Sequence, residues 1–129
     1  IIRAQGGDPQ VVDDVALLPR ARHEAVVESP ADGVVGRLDA WRIGRAAVAL
    51  GAGRDRVDDV IAPGAGIEVL ASIGTRVRRG DPVLRLTYDD ERRAGAARAL
   101  AEEAIGITDA PPAPEPLVLE TISRRRAAS

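Results

Sequence analysis

The chain has 129 residues, 45% of them hydrophobic, which is enough for one domain with a buried core. Its formal net charge of −2 creates no field that would attract nucleic acid or an anionic membrane. Cysteine is absent, which excludes disulfides and thiolate zinc sites, and no apolar run approaches the ~20 residues that cross a bilayer. The first residues do not have the pattern of a signal peptide. The sequence therefore predicts a soluble, cytoplasmic domain.

The composition restricts both the core and the chemistry. The chain has no Phe, no Met and a single Trp, so Val, Leu, Ile and Ala must fill the interior. All 18 basic residues are arginines. Without lysine the chain cannot be a biotin or lipoate carrier, because both cofactors are attached to a lysine side chain.

The first 20 residues contain few signals for regular structure. Gly6 and Gly7 are expected to end a short helix. The stretch from Val11 to Leu18 fits a short helix or an extended segment, and Pro19 ends it.

A pattern typical of β-strands begins after this segment. Arg22–Ser29 is predicted to form the first strand, which stops at Pro30. Asp32-Gly33 is a strong turn signal, and Val34–Leu38 is predicted as the return strand.

The clearest helix signal lies between Asp39 and Gly51. Asp39 is a favourable N-cap, and Gly51 is placed to end the helix in the left-handed conformation. Apolar and small residues recur at helical spacing on one face: Ala40, Ile43, Gly44, Ala47 and Val48. The small residues of this stripe, Gly44 and Ala47, predict close packing against a sheet.

Further strands are predicted after the loop Gly51–Asp59. Val60-Ile61 is expected to begin one strand. Ile67–Ile73 and Val83–Thr87 alternate apolar and polar residues and are expected to be sheet strands.

The last third of the chain predicts a second helix over Glu91–Ala104, capped by Asp89-Asp90 and closed by Gly106. Its narrow apolar stripe consists of Ala94, Ala97, Leu100, Ala101 and Ala104. Ala110–Pro116 is proline-rich and predicts an extended linker, followed by an edge strand over Leu117–Ile122 and a frayed tail. Strands mixed with two helices indicate an α+β domain.

The glycine pair in Leu50-Gly-Ala-Gly-Arg54 invites comparison with phosphate-binding loops. Such loops lead into a helix whose N–H groups face the anion, whereas here the helix comes first and presents its carbonyl end. The segment is therefore interpreted as a helix cap followed by a mobile surface loop. The functional alternative is a loop that closes over a site on another domain. Its candidate gating residues are Gly51, Gly53, Arg54 and Arg56.

The remaining polar residues form no catalytic or metal-binding constellation. His23, the only histidine, is expected to lie exposed at the start of a strand, because a working site needs partners. The acidic pairs are interpreted as caps and solubilising charge: Asp13-Asp14, Asp58-Asp59 and Asp89-Asp90. The arginines at 76, 78 and 79 form a small basic cluster. Nucleic-acid binding is not expected, because the chain has too few aromatic side chains to stack on bases.

Several short motifs occur in a fixed order along the chain. They are Ala4-Gln-Gly-Gly-Asp-Pro9, Leu18-Pro-Arg20, Ser29-Pro-Ala-Asp-Gly-Val34, Ile43-Gly44, Leu50-Gly-Ala-Gly-Arg54, Asp59-Val-Ile61 and Val77-Arg-Arg-Gly-Asp81. Their order and spacing resemble the C-terminal domain of the pyrimidine nucleoside phosphorylases, and most of all that of the thymidine phosphorylases. The resemblance covers nearly the whole chain. It implies an α/β-hammerhead with a mixed β-sheet, related to barrel-sandwich hybrids, plus two short helices.

The resemblance also implies a division of the chain. Residues 1–20 would be the tail end of a preceding α/β nucleotide-binding domain, 21–110 the C-terminal domain itself, and 111–129 the proline-rich linker, edge strand and tail. The chain would then belong to a longer enzyme, with the missing N-terminal domains as its partners, and that parent would be a homodimer. No partnership with nucleic acid or membrane is expected.

The parent enzyme implied by the resemblance catalyses phosphorolysis of thymidine to thymine and 2-deoxyribose 1-phosphate. Inorganic phosphate is its co-substrate, and no cofactor is needed. The family's catalytic motifs lie in the other domains, so no catalytic, substrate-binding or metal-binding residue is assigned here. The isolated chain is expected to be an inactive structural and gating module. The alternative is a free-standing hammerhead domain with a scaffold or interaction role.

The expected core consists of aliphatic residues, with Trp41 partly exposed. Its members are Val35, Leu38, Ile43, Val48, Leu50, Ile61, Val69, Leu70, Val83, Leu84 and Leu86.

Overall fold

The computed structural model describes residues 1–54, 57–113, 116, 118 and 120–122. Its elements are β1 (His23–Glu28), β2 (Gly33–Leu38), α1 (Ala40–Leu50), β3 (Gly66–Val69), β4 (Arg76–Val77), β5 (Pro82–Tyr88), α2 (Glu91–Ala104) and β6 (Ile105–Thr108). Three short 3₁₀ turns precede β1, at Arg3–Gln5, Pro9–Val12 and Val15–Leu17. The α+β class and the two helices are confirmed.

The strands form two separate three-stranded sheets, and all of their pairings are antiparallel. One sheet has the order β1-β5-β3, with Val27 opposite Leu84. The other has the order β4-β2-β6, with Val35 opposite Ile107. The expected mixed sheet is wrong, because each helix connects a strand of one sheet to a strand of the other. No βαβ unit forms within a sheet, so no parallel pairing arises.

Strands β1 and β2 do not form the predicted hairpin, since they belong to different sheets. The turn between β4 and β5 holds in place the segment that joins β1 to β2. Ser29 is buried, its N–H donates to the carbonyl of Asp81 (2.8 Å), and its carbonyl accepts from the N–H of Gly80 (2.9 Å). The Asp32 carboxylate accepts from the N–H of Arg79 at 2.7 Å. The Asp-Gly signal therefore marks a crossing between sheets.

Helix α1 begins and ends as predicted, but a different face is buried. Gly51 has φ +103° and donates its N–H to the carbonyl of Val48 (2.9 Å). Ala46 and Leu50 are buried, whereas Gly44 is exposed and a Cβ added there would meet nothing within 4 Å. The prediction of close packing at Gly44 is wrong because α1 packs mainly against α2, which approaches from another side.

Helix α2 also has the predicted bounds, with Asp90 as its N-cap and three fully buried alanines, Ala97, Ala101 and Ala104. Gly106 does not close it, because Ile105 leads directly into β6. Gly106 lies opposite Arg37, and an added Cβ would come within 3.1 Å of the Arg37 Cβ. Close approach of two strands, not helix termination, accounts for this glycine.

One predicted strand does not form, and another is shorter than predicted. Val60-Ile61 forms no strand, because the chain instead bonds to the end of α1 through the Ala62 N–H and the Gly51 carbonyl (2.9 Å). Strand β3 ends at Val69, before Ile73. No strand is assigned at 118 or 120–122, and positions 117 and 119 of the predicted edge strand lie outside the described residues.

The core is aliphatic, as expected, but alanines contribute more than predicted. Among its buried members are Val27, Val35, Ala46, Leu50, Ala71, Val77, Val83, Leu84, Leu86, Ala97, Ala101 and Ile105. Of the other predicted members, Leu38, Ile43, Val48 and Leu70 are half-buried. Ile61 and Val69 are exposed, because neither occupies an inward position between the helices and sheets. Trp41 is 71% exposed.

A charged cluster joins the start of α1 to the end of α2. The Asp39 carboxylate accepts from the N–H of Arg42 (3.1 Å), and the Asp39 N–H donates to the carbonyl of Ala104 (2.9 Å). Arg42 also lies 3.5 Å from Glu103, Nε to Oε2. The N–H and then the guanidinium of Arg42 hold the pKa of Asp39 below its usual value of 3.8.

Replacing Leu50 by Ala should cost ~2–5 kcal/mol in free energy of unfolding, because the side chain is 1% exposed and its loss leaves a cavity. Urea denaturation followed by circular dichroism measures this. Leu17→Ala is the matched control, since Leu17 is 51% exposed and should lose far less. Equal losses would contradict the assigned helix face.

Replacing Asp39 by Asn should destabilise the domain at neutral pH but not in acid. The folded state lowers the pKa of Asp39, so the stabilising charge is fully present above the unfolded value near 3.8 and is lost as the pH falls through the folded value. Urea midpoints of wild type and variant should therefore converge as the pH drops below about 4. A difference that stays constant over that range would show that the charge is not involved.

Candidate functional site

The loop after α1 has a fixed base. Gly51 is buried at the helix end, and its carbonyl accepts from Ala62 on the far side of the loop. Gly53 is half-buried, and a Cβ added there would lie 3.0 Å from Cγ2 of Val48. Both candidate glycines are therefore part of the packed base, and Arg54 is the first exposed residue after them.

Beyond Gly53, the described residues of the loop are exposed except Asp59, which is half-buried. Arg54 and Asp58 lie at the surface, and Val57 and Val60 are 88% and 86% exposed. Arg56, the other candidate gating residue, lies outside the described residues. Two almost fully exposed valines are unusual in so short a segment, and they give the loop an apolar surface as well as a charged one.

A cavity of about 220 Å³ lies where the loop meets both helices. It is lined by Arg45, Val48, Ala49, Asp59, Arg93 and Leu100. Arg93 belongs to α2 and was not expected near the loop. Only the packing of α2 on α1 brings it there, and no local pattern in the sequence indicates that contact.

The polarity of α1 argues against a phosphate cradle. The helix ends at Leu50, so its carbonyl groups, not its N–H groups, face the glycine pair. The geometry matches the interpretation of Gly51 as a C-cap.

His23 lies at the start of β1 and is partly exposed. Its ring stacks on Tyr88 with centroids 5.6 Å apart, and its Nδ1 lies 3.8 Å from Oε1 of Glu91. No group of three or more metal-ligating side chains that could hold an ion occurs within the described ranges. The predicted position of His23, exposed at the start of a strand, is confirmed.

Acidic residues of the predicted pairs serve as caps. Asp14 accepts from the N–H of Ala16 (2.9 Å), and Asp90 accepts from the N–H of Arg92 (3.0 Å). The side-chain and N–H hydrogen bonds from Arg92 lower the pKa of Asp90. The carboxylate of Asp89 accepts from the N–H of Arg22 (3.0 Å).

The basic cluster on β4 and the following turn has acids beside it. Asp81 accepts from the N–H of Arg78 (2.8 Å). A cavity of about 400 Å³ is lined by Asp32, Gly33, Arg76, Val77, Arg78 and Asp81. This lining combines two aspartates with two arginines. Across the part of the chain that the structure describes, no helix is both long and apolar enough to cross a membrane.

The described residues form a small α+β module in which α1 packs against α2 and an exposed loop follows α1. Residues 34–108 match the family model described as the pyrimidine nucleoside phosphorylase C-terminal domain. The matched range includes both helices and the whole loop. The chain belongs to this family.

Curated relatives carry the names of phosphorylases. The chain is 36% identical over 122 residues to a thymidine phosphorylase of Mycobacterium tuberculosis, covering 95% of the chain and 27% of that protein. It is 35% identical over 127 residues to human thymidine phosphorylase, covering 90% of the chain and 26% of that protein. A pyrimidine-nucleoside phosphorylase of Bacillus subtilis is 35% identical over 111 residues, covering 76% of the chain and 26% of that protein. The chain thus spans about a quarter of the length of these relatives.

The isolated 129-residue chain should bind neither thymine nor inorganic phosphate more tightly than about 1 mM, because the described part of the loop forms no anion cradle and no convergent polar site. Isothermal titration at neutral pH measures this, with thymidine phosphorolysis assayed in parallel. Micromolar binding of either ligand, or turnover, would contradict the assignment of a module without its own active site.

Proposed function

We propose that this chain acts as the C-terminal domain of a thymidine phosphorylase. Its parent enzyme would convert thymidine and inorganic phosphate to thymine and 2-deoxyribose 1-phosphate, with no cofactor. The observation that supports this most strongly is the family match over residues 34–108, together with relatives of that name aligned over up to 95% of the chain. The chain itself would contribute structure and gating, and the reacting groups would lie elsewhere in the enzyme.

The gating role falls to the loop that begins at Gly51. Its base is held by the Ala62 hydrogen bond and by α1, while Arg54 and the valines beyond it face solvent. A loop with a rigid base and an exposed, charged and apolar tip is suited to closing over a cleft. Arg54 would contact the neighbouring domain on closure and would not touch the reacting atoms.

The first 20 residues are suited to the role of a junction with the preceding domain. Val12 and Val15 are 68% and 66% exposed, and Leu17 and Leu18 are about half exposed, although Asp8 and Asp14 cap the turns that hold them. Several uncovered aliphatic side chains on locally ordered turns are typical of a surface that packs against an apolar partner. The domain that precedes this region in a longer enzyme would supply it.

Other features of the proposed parent follow from the family resemblance. The two sheets and two helices would constitute an α/β-hammerhead related to barrel-sandwich hybrids. The parent would be a cytoplasmic homodimer, and neither it nor this domain would bind nucleic acid.

The reading frame upstream of Ile1 tests the proposal. A glycine-rich phosphate motif containing Lys and Ser, a few hundred residues earlier, is expected. The whole polypeptide should then phosphorolyse thymidine when purified, and uridine assayed beside it would define the preference. An upstream region without such a motif, or a purified whole polypeptide without activity, would favour the free-standing scaffold.

Arg54→Ala in the whole polypeptide should lower kcat for thymidine several-fold, because the loop loses the contact that holds the closed state. The far-ultraviolet circular dichroism spectrum should be unchanged, since Arg54 is exposed. Arg78→Ala, an exposed arginine on the β4–β5 turn, is the control and should keep wild-type kinetics. Wild-type kinetics in the Arg54 variant would leave the loop as a helix cap only.

A further inference from the structure

The only tryptophan of the chain lies on the surface. Trp41 occupies the first turn of α1 and is 71% exposed, in a chain without Phe and with one Tyr. The core is built from aliphatic residues and does not use the indole. Exposed indoles contribute little to a domain alone but are enriched among the residues that dominate protein interfaces.

The helix face that carries Trp41 also carries residues with little or no burial. Gly44, Arg45 and Val48 follow at spacings of three, four and seven, so they share its face over about 10 Å. Gly44 is exposed and in the helix interior, where glycine is less stable than alanine. An added Cβ would meet nothing within this domain, so no internal packing requires the glycine.

This face continues into the loop. Val48 borders the cavity that Asp59 also lines, and Gly53 lies against Val48. The exposed valines 57 and 60 enclose the pair Asp58-Asp59 in sequence. The helix face and the loop therefore form one surface that combines an indole, aliphatic side chains and a gap at Gly44.

We infer that the Trp41 face, formed by Trp41, Gly44, Arg45 and Val48, is a docking surface for the catalytic part of the same polypeptide. This inference rests on the proposed function. About three-quarters of the length of the relatives lies outside the matched region, and the loop that continues the face is the element proposed to close on that part. Trp41 inserts into an apolar pocket of the partner, and Gly44 lets the partner backbone approach the helix.

Oxidation of Trp41 by N-bromosuccinimide, measured by peptide mass spectrometry, tests the docking directly. The 129-residue chain should be oxidised quickly, and the whole polypeptide with thymidine and phosphate about tenfold more slowly, because a docked indole is shielded from solvent. Equal rates in an active whole polypeptide overturn the inference. Protection that appears in the 129-residue chain alone as its concentration rises indicates a second copy as occupant and also overturns it.

Alanine substitutions at two glycines, one in each helix, provide a second and independent test. Gly44→Ala should raise the urea midpoint of the 129-residue chain through helix propensity, yet speed Trp41 oxidation in the whole polypeptide. Gly95→Ala is the matched control: Gly95 is exposed in α2, has equally open space, and lies one turn from charged residues instead of an indole. It should stabilise the chain without changing Trp41 oxidation.

The two proposals fail separately. A whole polypeptide without phosphorylase activity contradicts the proposed function, whatever the oxidation rate of Trp41. An active polypeptide in which Trp41 stays accessible, and in which both glycine variants behave alike, contradicts only the docking surface.

Discussion

The packing of α1 against α2 through alanine side chains is the constraint on which the rest of the domain depends. Ala46 of α1 and Ala97 and Ala101 of α2 belong to the same core cluster, and all three are fully buried. Each helix connects one sheet to the other, so the distance between the helices also sets the position of the two sheets. A larger residue at these positions would force the helices apart and disturb both sheets, because packed interiors tolerate added volume poorly.

This arrangement leaves the chemistry of the domain on its surfaces. The helix pair and its charged cluster at Asp39, Arg42 and Glu103 hold the loop base and the Trp41 face in a fixed relation. Other polar side chains act as helix caps or form ion pairs. In one such pair, Nη1 of Arg85 lies 2.7 Å from Oε2 of Glu68. These surfaces belong to a chain of the pyrimidine nucleoside phosphorylase C-terminal domain family.

The sequence predicted the helices well and the strand pairing poorly, for one physical reason. Asp39, Gly51 and Asp90 act on backbone groups a few residues away, so their signals are local and the helix bounds were correct. Partners of β1 and β2 lie far along the chain, and an Asp-Gly pair at a crossing between sheets has the same local pattern as one in a hairpin. The buried face of α1 depends on α2, so the role of Gly44 was misjudged.

The local features of the candidate site could likewise be predicted from the sequence, whereas its tertiary contacts could not. The glycine pair located the loop, and the order of helix and loop favoured a helix cap over an anion cradle from sequence alone. The cavity that contains Arg93 and the continuous surface from Trp41 to the loop required the tertiary arrangement. Neither follows from spacing within a single segment.

The long-range pairing has a consequence for biosynthesis. Strand β1 can pair only after β5 has emerged from the ribosome, and β2 completes its sheet only with β6. Until then the nascent polypeptide exposes Val27 and Val35, two aliphatic residues that are fully buried later. Folding of a domain dominated by such distant contacts is slow compared with that of a helical bundle. Its first two strands therefore remain vulnerable to aggregation, and a natural target for chaperones, until translation has passed Thr108.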